Sequence, residues 1–93
     1  MKTLKKIEII PMFVEYIPNT LKQHFIYISK EYKTVVHLCL CGCVNLSVLN
    51  LNDKNGWKLI EKNNKISFIP SILNTNCPNK YHYVITNNVA NIL

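Results

Sequence analysis

The sequence predicts a mostly β fold: a small antiparallel sheet, or a partly open β-barrel, stapled by a zinc site. Three observations predict it. Apolar residues come in short runs rich in β-branched and aromatic side chains, broken by turn signals. Two Asn-Asn pairs, Asn63-Asn64 and Asn87-Asn88, each separate two such runs. Asn tolerates the left-handed backbone that a tight hairpin turn needs. All four cysteines fall in a three-plus-one arrangement, Cys39-Leu40-Cys41-Gly42-Cys43 followed far downstream by Cys77.

Taken in order, Ile7 to Ile10 is a short strand stopped by Pro11, and Phe13 to Ile17 is an extended piece ended by Pro18-Asn19. Thr20 to Gln23 supplies one helical turn at most. His24 to Ser29 and Thr34 to Cys39 read as strands, the second running into the cysteine cluster. Val44 to Leu51 alternates with a slip, as Val44, Leu46 and Val48 give way to Leu49 and Leu51, which suggests a bulge or burial on both faces. Asp53-Lys54-Asn55-Gly56 is a turn. Trp57 to Ile60 and Lys65 to Ile69 form a hairpin that Pro70 ends. Ser71 to Lys80 is a polar loop, and Tyr81 to Thr86 with Val89 to Leu93 is a last hairpin. There is no internal repeat and no linker, so residues 1–93 read as a single domain.

Residues i and i+2 of an extended segment lie roughly 6.5 Å apart with near-parallel Cβ vectors. Neighbours in the cysteine cluster are therefore poorly placed for a disulfide, which needs converging Cβ vectors. Four thiolates converging on one tetrahedral zinc ion face no such difficulty, and Gly42 lets the chain fold round it. Cys39, Cys41, Cys43 and Cys77 are thus the expected ligands of a structural Zn²⁺. The plain alternative is four reduced cysteines packed as small hydrophobes. His37 or His82 replacing Cys39 or Cys41 would give three cysteines with one histidine, another common structural set.

With 93 residues, a domain gains from such a staple, because it buries a modest share of its surface. The 48% hydrophobic content argues for a folded chain. No apolar run approaches the roughly 20 residues of a membrane span. Glu8, Pro11 and Glu15 interrupt the region behind Lys2, Lys5 and Lys6, so no export signal is expected and the cytoplasm is the expected compartment. The net charge is +6, yet every basic residue is lysine and the lysines are dispersed. Nucleic-acid recognition favours arginine's planar fork, so such a partner is not expected.

Near the cysteines lie a hydroxyl and two imidazoles. His37 precedes Cys39, His82 follows Cys77, and Ser71 follows Pro70 at the mouth of the loop carrying Cys77. A serine whose proton can pass to an imidazole about 2.6–3.2 Å away is an activated nucleophile. Glu15 or Glu31 could orient the ring as a third member. The bland reading makes Ser71 a turn residue and each histidine a packing or surface group. Trp57 and the five tyrosines read as sheet and core aromatics.

The ordered set Phe13-Val14-Glu15-Tyr16-Ile17-Pro18, Ile26-Tyr27-Ile28-Ser29, Val36-His37-Leu38-Cys39-Leu40-Cys41-Gly42-Cys43, Gly56-Trp57-Lys58-Leu59, Pro70-Ser71-Ile72, and Cys77 with His82-Tyr83-Val84-Ile85 resembles the BubE-type family of bacteria and phages. The resemblance covers nearly the whole chain. It implies a zinc-containing serine peptidase of a ubiquitin-like conjugation pathway. Its substrate would be a ubiquitin-like protein, with the cognate activating and conjugating enzymes as possible partners. It implies zinc on Cys39, Cys41, Cys43 and Cys77, Ser71 as nucleophile, and His82 as general base, with His37 the second choice. The chain departs from the family pattern at Leu40, usually proline, at Val44, usually glycine, and in a Cys77-to-His82 spacing about two residues longer. The competing expectation is a non-catalytic, zinc-stabilised protein-binding module.

Overall fold

Among the described residues, ten strands and no helix divide into two four-stranded sheets and one hairpin. The computed structural model describes residues 5–40, 42, 45–52, 54–74, 77–78 and 81–93. Strands β1 (Lys5–Glu8) and β2 (Ile10–Phe13) are separated only by Ile9, where the chain passes from one sheet to the other. Ile9 is buried; its N–H donates to the Asn88 carbonyl of the first sheet, and the next N–H, of Ile10, donates to His24 beside the second.

The second sheet runs β2-β3-β4-β5, with β3 at Phe25–Ser29, β4 at Thr34–Leu38 and β5 at Leu46–Asn50. The hairpin pairs β6 (Lys58–Lys62) with β7 (Lys65–Ile69). The first sheet runs β1-β10-β9-β8, with β8 at Ile72–Leu73, β9 at His82–Thr86 and β10 at Val89–Ile92. Each sheet keeps two edges, so neither closes into a barrel. The antiparallel expectation also needs amending, because β2 pairs with β3 in parallel, Ile10 opposite Phe25. Pro11 does not stop this strand. It sits on an edge, where its missing N–H costs no ladder bond.

Both Asn-Asn hairpins form. Asn63, Asn64, Asn87 and Asn88 have φ of 53°, 64°, 49° and 66°, as a two-residue turn with both residues left-handed requires. Asn88 does more than turn: its Oδ1 accepts from the Ile66 N–H at 2.8 Å, its own N–H donates to the Ile66 carbonyl, and so the hairpin is tied to the first sheet. At the earlier turn, Asn52 Oδ1 accepts from the N–H groups of Lys54 and Asn55. Gly56 is required there, because a Cβ would stand 2.3 Å from the Asn50 carbonyl oxygen.

Among the described residues β5 carries no bulge; Val44, where the expected slip begins, lies outside them. Its pairing with β4 is continuous from Asn50 to Leu46, and its inward residues are Ser47 and Leu49, leaving Leu46 and Val48 exposed. The apparent slip arises because a serine takes an inward place. The core lies where Ile26, Ile28, Val35 and Leu49 of the second sheet, Ile72, Tyr83, Ile85 and Ala90 of the first, and Ile66 and Phe68 of the hairpin come together. Full burial of each large aliphatic side chain contributes about 1.5–3 kcal/mol.

Candidate active site

Strands β8 and β9 pair with Ile72 opposite Tyr83 and Leu73 opposite His82. Paired residues share a face, and successive residues alternate faces. Ile72 and Tyr83 therefore point into the core, where both are buried. Leu73 and His82 point outward, and Ser71, two residues before Leu73, points the same way. Ser71 and His82 are thus diagonal neighbours on one face, within reach of a long side chain. Their side chains meet: His82 Nε2 lies 2.8 Å from Ser71 Oγ. Both residues are half-buried. The register sets this contact, and the next pair continues it, with the Asn74 N–H donating to the Tyr81 carbonyl at 3.0 Å.

Ser71 is held from its other side too. Its carbonyl accepts from the Trp57 indole Nε1–H at 3.3 Å. Trp57 packs against the core as its sequence position suggests, and its indole N–H makes this further bond, for which its place straight after the Gly56 turn is the available signal. Glu15 and Glu31 are exposed on the second sheet's side of the fold, and among the described residues no carboxylate hydrogen-bonds the His82 ring.

His37 is placed differently. Its side chain is 0% exposed, Nδ1 donates to the Leu38 carbonyl at 2.8 Å, and Nε2 accepts from the Tyr83 hydroxyl at 3.0 Å. Ser47 hydrogen-bonds the same tyrosine oxygen. One proton arrangement satisfies the whole chain of groups: Ser47 to Tyr83, Tyr83 to His37, His37 to Leu38. Burial lowers the His37 pKa below the ordinary histidine value, the Leu38 bond opposing it, so the ring is neutral. Both its nitrogens are engaged, and neither is directed to Ser71. Tyr83 and Ser47 went unrecognised in the sequence as partners of this histidine, since a serine at one inward strand position gives little signal.

The Tyr83 hydroxyl is pushed well above the ordinary tyrosine range, first by burial; the Ser47 bond opposes this, and negative charge on Cys39 and Cys77 adds to it. Two cysteines far apart in sequence thus act on one phenol, and both are buried. The Cys39 N–H donates to the Asn45 carbonyl at 2.7 Å, which closes the β4–β5 loop, and Gly42 takes φ of 91° within it. Cys41 and Cys43 lie outside the described residues, and among the described residues no group of three or more His, Cys, Asp or Glu side chains could hold a metal. The donor chemistry nonetheless fits a thiolate-bound ion, with buried Cys39 and Cys77 near one tyrosine and two more thiols on the Cys39 loop. The Gly42 N–H donates to the Cys39 carbonyl at 3.2 Å, so it is not available to a substrate oxyanion.

Among the described residues no helix is long and apolar enough to cross a membrane. Residues 13–93 match the family model described as bacterial ubiquitination-like system serine protease (BubE), and the chain belongs to that family. Neither a curated protein nor a solved structure matches it.

Proposed function

From membership of this serine protease family, we propose that the chain is a peptidase that cleaves the acyl bond after a ubiquitin-like protein, either trimming a C-terminal tail or releasing a conjugate. The observation that carries the reading is the 2.8 Å contact between Ser71 Oγ and His82 Nε2. That distance lies within the range a general base needs to take a hydroxyl proton. Ser71 Oγ attacks the carbonyl carbon, and its proton passes to His82 Nε2. The resulting imidazolium returns the proton to the leaving amine as the C–N bond breaks. Water, deprotonated by the same ring, then hydrolyses the acyl-serine and restores Ser71.

Ile72 faces β9 in the ladder and the Gly42 amide is spent, so the nucleophile's own N–H, turned away from β9 by the same alternation, is assigned to the developing oxyanion. His82 is the base in this reading, and His37 has a structural role beneath it. Cys39, Cys41, Cys43 and Cys77 would hold a structural Zn²⁺, which when bound pins the β4–β5 loop to the segment after β8. The activating and conjugating enzymes of the same pathway are the natural partners, and a reducing cytoplasm suits the thiolates.

The test uses a ubiquitin-like protein of such a system carrying a C-terminal extension. Wild type should release the extension, and Ser71→Ala should not, with unchanged melting. Equal cleavage by both would overturn the reading. Absence of cleavage by wild type, together with stable binding of the ubiquitin-like protein, would favour the binding module.

A further inference from the structure

Among the described residues the first sheet ends at β8, whose outer edge beside Ser71 no described strand pairs. The hydrogen-bond alternation of an antiparallel ladder decides which groups face it. The Leu93 N–H donates to the His82 carbonyl, so His82 turns its backbone groups toward β10. Tyr83 then turns its own toward β8, where Ile72 is its partner. The Asn74 N–H, donating to Tyr81, follows the same phase. Leu73, between Ile72 and Asn74, must point its N–H and C=O away from β9, toward the open edge. Among the described residues nothing hydrogen-bonds them.

That edge is bounded at one end. Trp57 Nε1 occupies the Ser71 carbonyl, so a strand running along Leu73 meets the indole at Ser71. The outer face beside it is apolar: Leu73 is 51% exposed and Leu93 63%, and the two flank His82 on either side. Unpaired backbone groups call for an extended polypeptide, since an extended strand matches the donor and acceptor of a sheet edge.

We propose that the substrate's scissile segment adds as an extended strand to the free edge of β8, pairing with the Leu73 N–H and C=O and leaving the edge at Trp57, where its carbonyl meets Ser71 Oγ. This rests on the hydrolase reading above and specifies how that site takes its substrate. Recognition is then of extended backbone rather than of a folded surface. A flexible tail binds and a residue inside a helix does not.

The test uses a fluorogenic peptide that wild type cleaves, drawn from a mixed-sequence pool, with the cleaved bond located by mass spectrometry. Peptides N-methylated at successive amides near that bond lack one donor each. One methyl close to the bond should lower kcat/KM about tenfold, mainly through KM, with more distant methyls within twofold of the parent. Compared with Leu73→Ala, which loses only the exposed side chain, Leu73→Pro also loses the outward N–H of an edge strand, a position where proline is tolerated. It should lower kcat/KM several-fold while a fluorophosphonate, too small to need the edge, still labels Ser71. Uniform cleavage of all the methylated peptides, or Leu73→Pro hydrolysing like wild type, would overturn strand addition and leave the hydrolase standing. Wild type that neither labels nor hydrolyses would remove the hydrolase reading itself, and this proposal with it.

Discussion

Replacing Tyr83 by Phe deletes one oxygen from a fully buried ring. The packing volume barely changes, so the cost comes from the groups left behind. His37 Nε2, inside a side chain with no exposure, loses the donor 3.0 Å away. The Ser47 hydroxyl, also buried, loses its acceptor. An orphaned buried polar group costs about 1–3 kcal/mol, and a serine hydroxyl can partly recover by rotation, so the total is about 2–4 kcal/mol. That is a large fraction of the 5–15 kcal/mol typical of a whole domain and corresponds to a fall in melting temperature of roughly 8–30 °C. Urea and thermal melts measure it. The double variant His37→Leu/Tyr83→Phe removes both partners and should cost at least about 1 kcal/mol less than the sum of the single changes. Hydrolysis per folded molecule should survive Tyr83→Phe. Melting within about 0.3 kcal/mol of wild type, or strict additivity, would refute the network. Loss of hydrolysis without loss of stability would return His37 to the reaction.

Gly56→Ala forces a Cβ toward the Asn50 carbonyl and should cost about 1–3 kcal/mol in urea melts. The two Asn-Asn turns should respond differently: Asn64→Gly is expected to be neutral, whereas Asn88→Ala loses both a left-handed residue and the acceptor for the Ile66 N–H, about 2 kcal/mol together. Metal analysis should find about one zinc per chain, with chelation or Cys77→Ser lowering the melting temperature, because metal binding is coupled to folding. Four freely titrating thiols in a protein indifferent to chelator would contradict that site.

The hairpins were legible because their turn chemistry is local. Two left-handed asparagines between alternating runs admit few alternatives, and both hairpins formed with Asn63-Asn64 and Asn87-Asn88 at their tips. The division into two sheets was not legible. It depends on Ile9 carrying the chain between them and on β2 pairing in parallel with β3, a contact between segments whose sequences say nothing about direction. Strand β8 was hidden because its two residues sit in a polar stretch, and only their register with β9 defines them. Ser71 and His82 were legible as chemistry-bearing residues through family resemblance. Composition could not choose between two histidines. Strand alternation separates them: His82 follows Leu73 to the outer face and meets Ser71, while His37 meets Tyr83 on the inner one.

The central claim is that Ser71 is a nucleophile activated by His82. The most direct test is the rate at which a fluorophosphonate adds to the protein, read by intact mass, with the modified residue located by peptide mapping. A single adduct on Ser71 is expected, formed about 10²–10⁴ times more slowly in His82→Gln and at the wild-type rate in a folded Tyr83→Phe protein. An adduct elsewhere, or a rate indifferent to His82→Gln, would contradict the account.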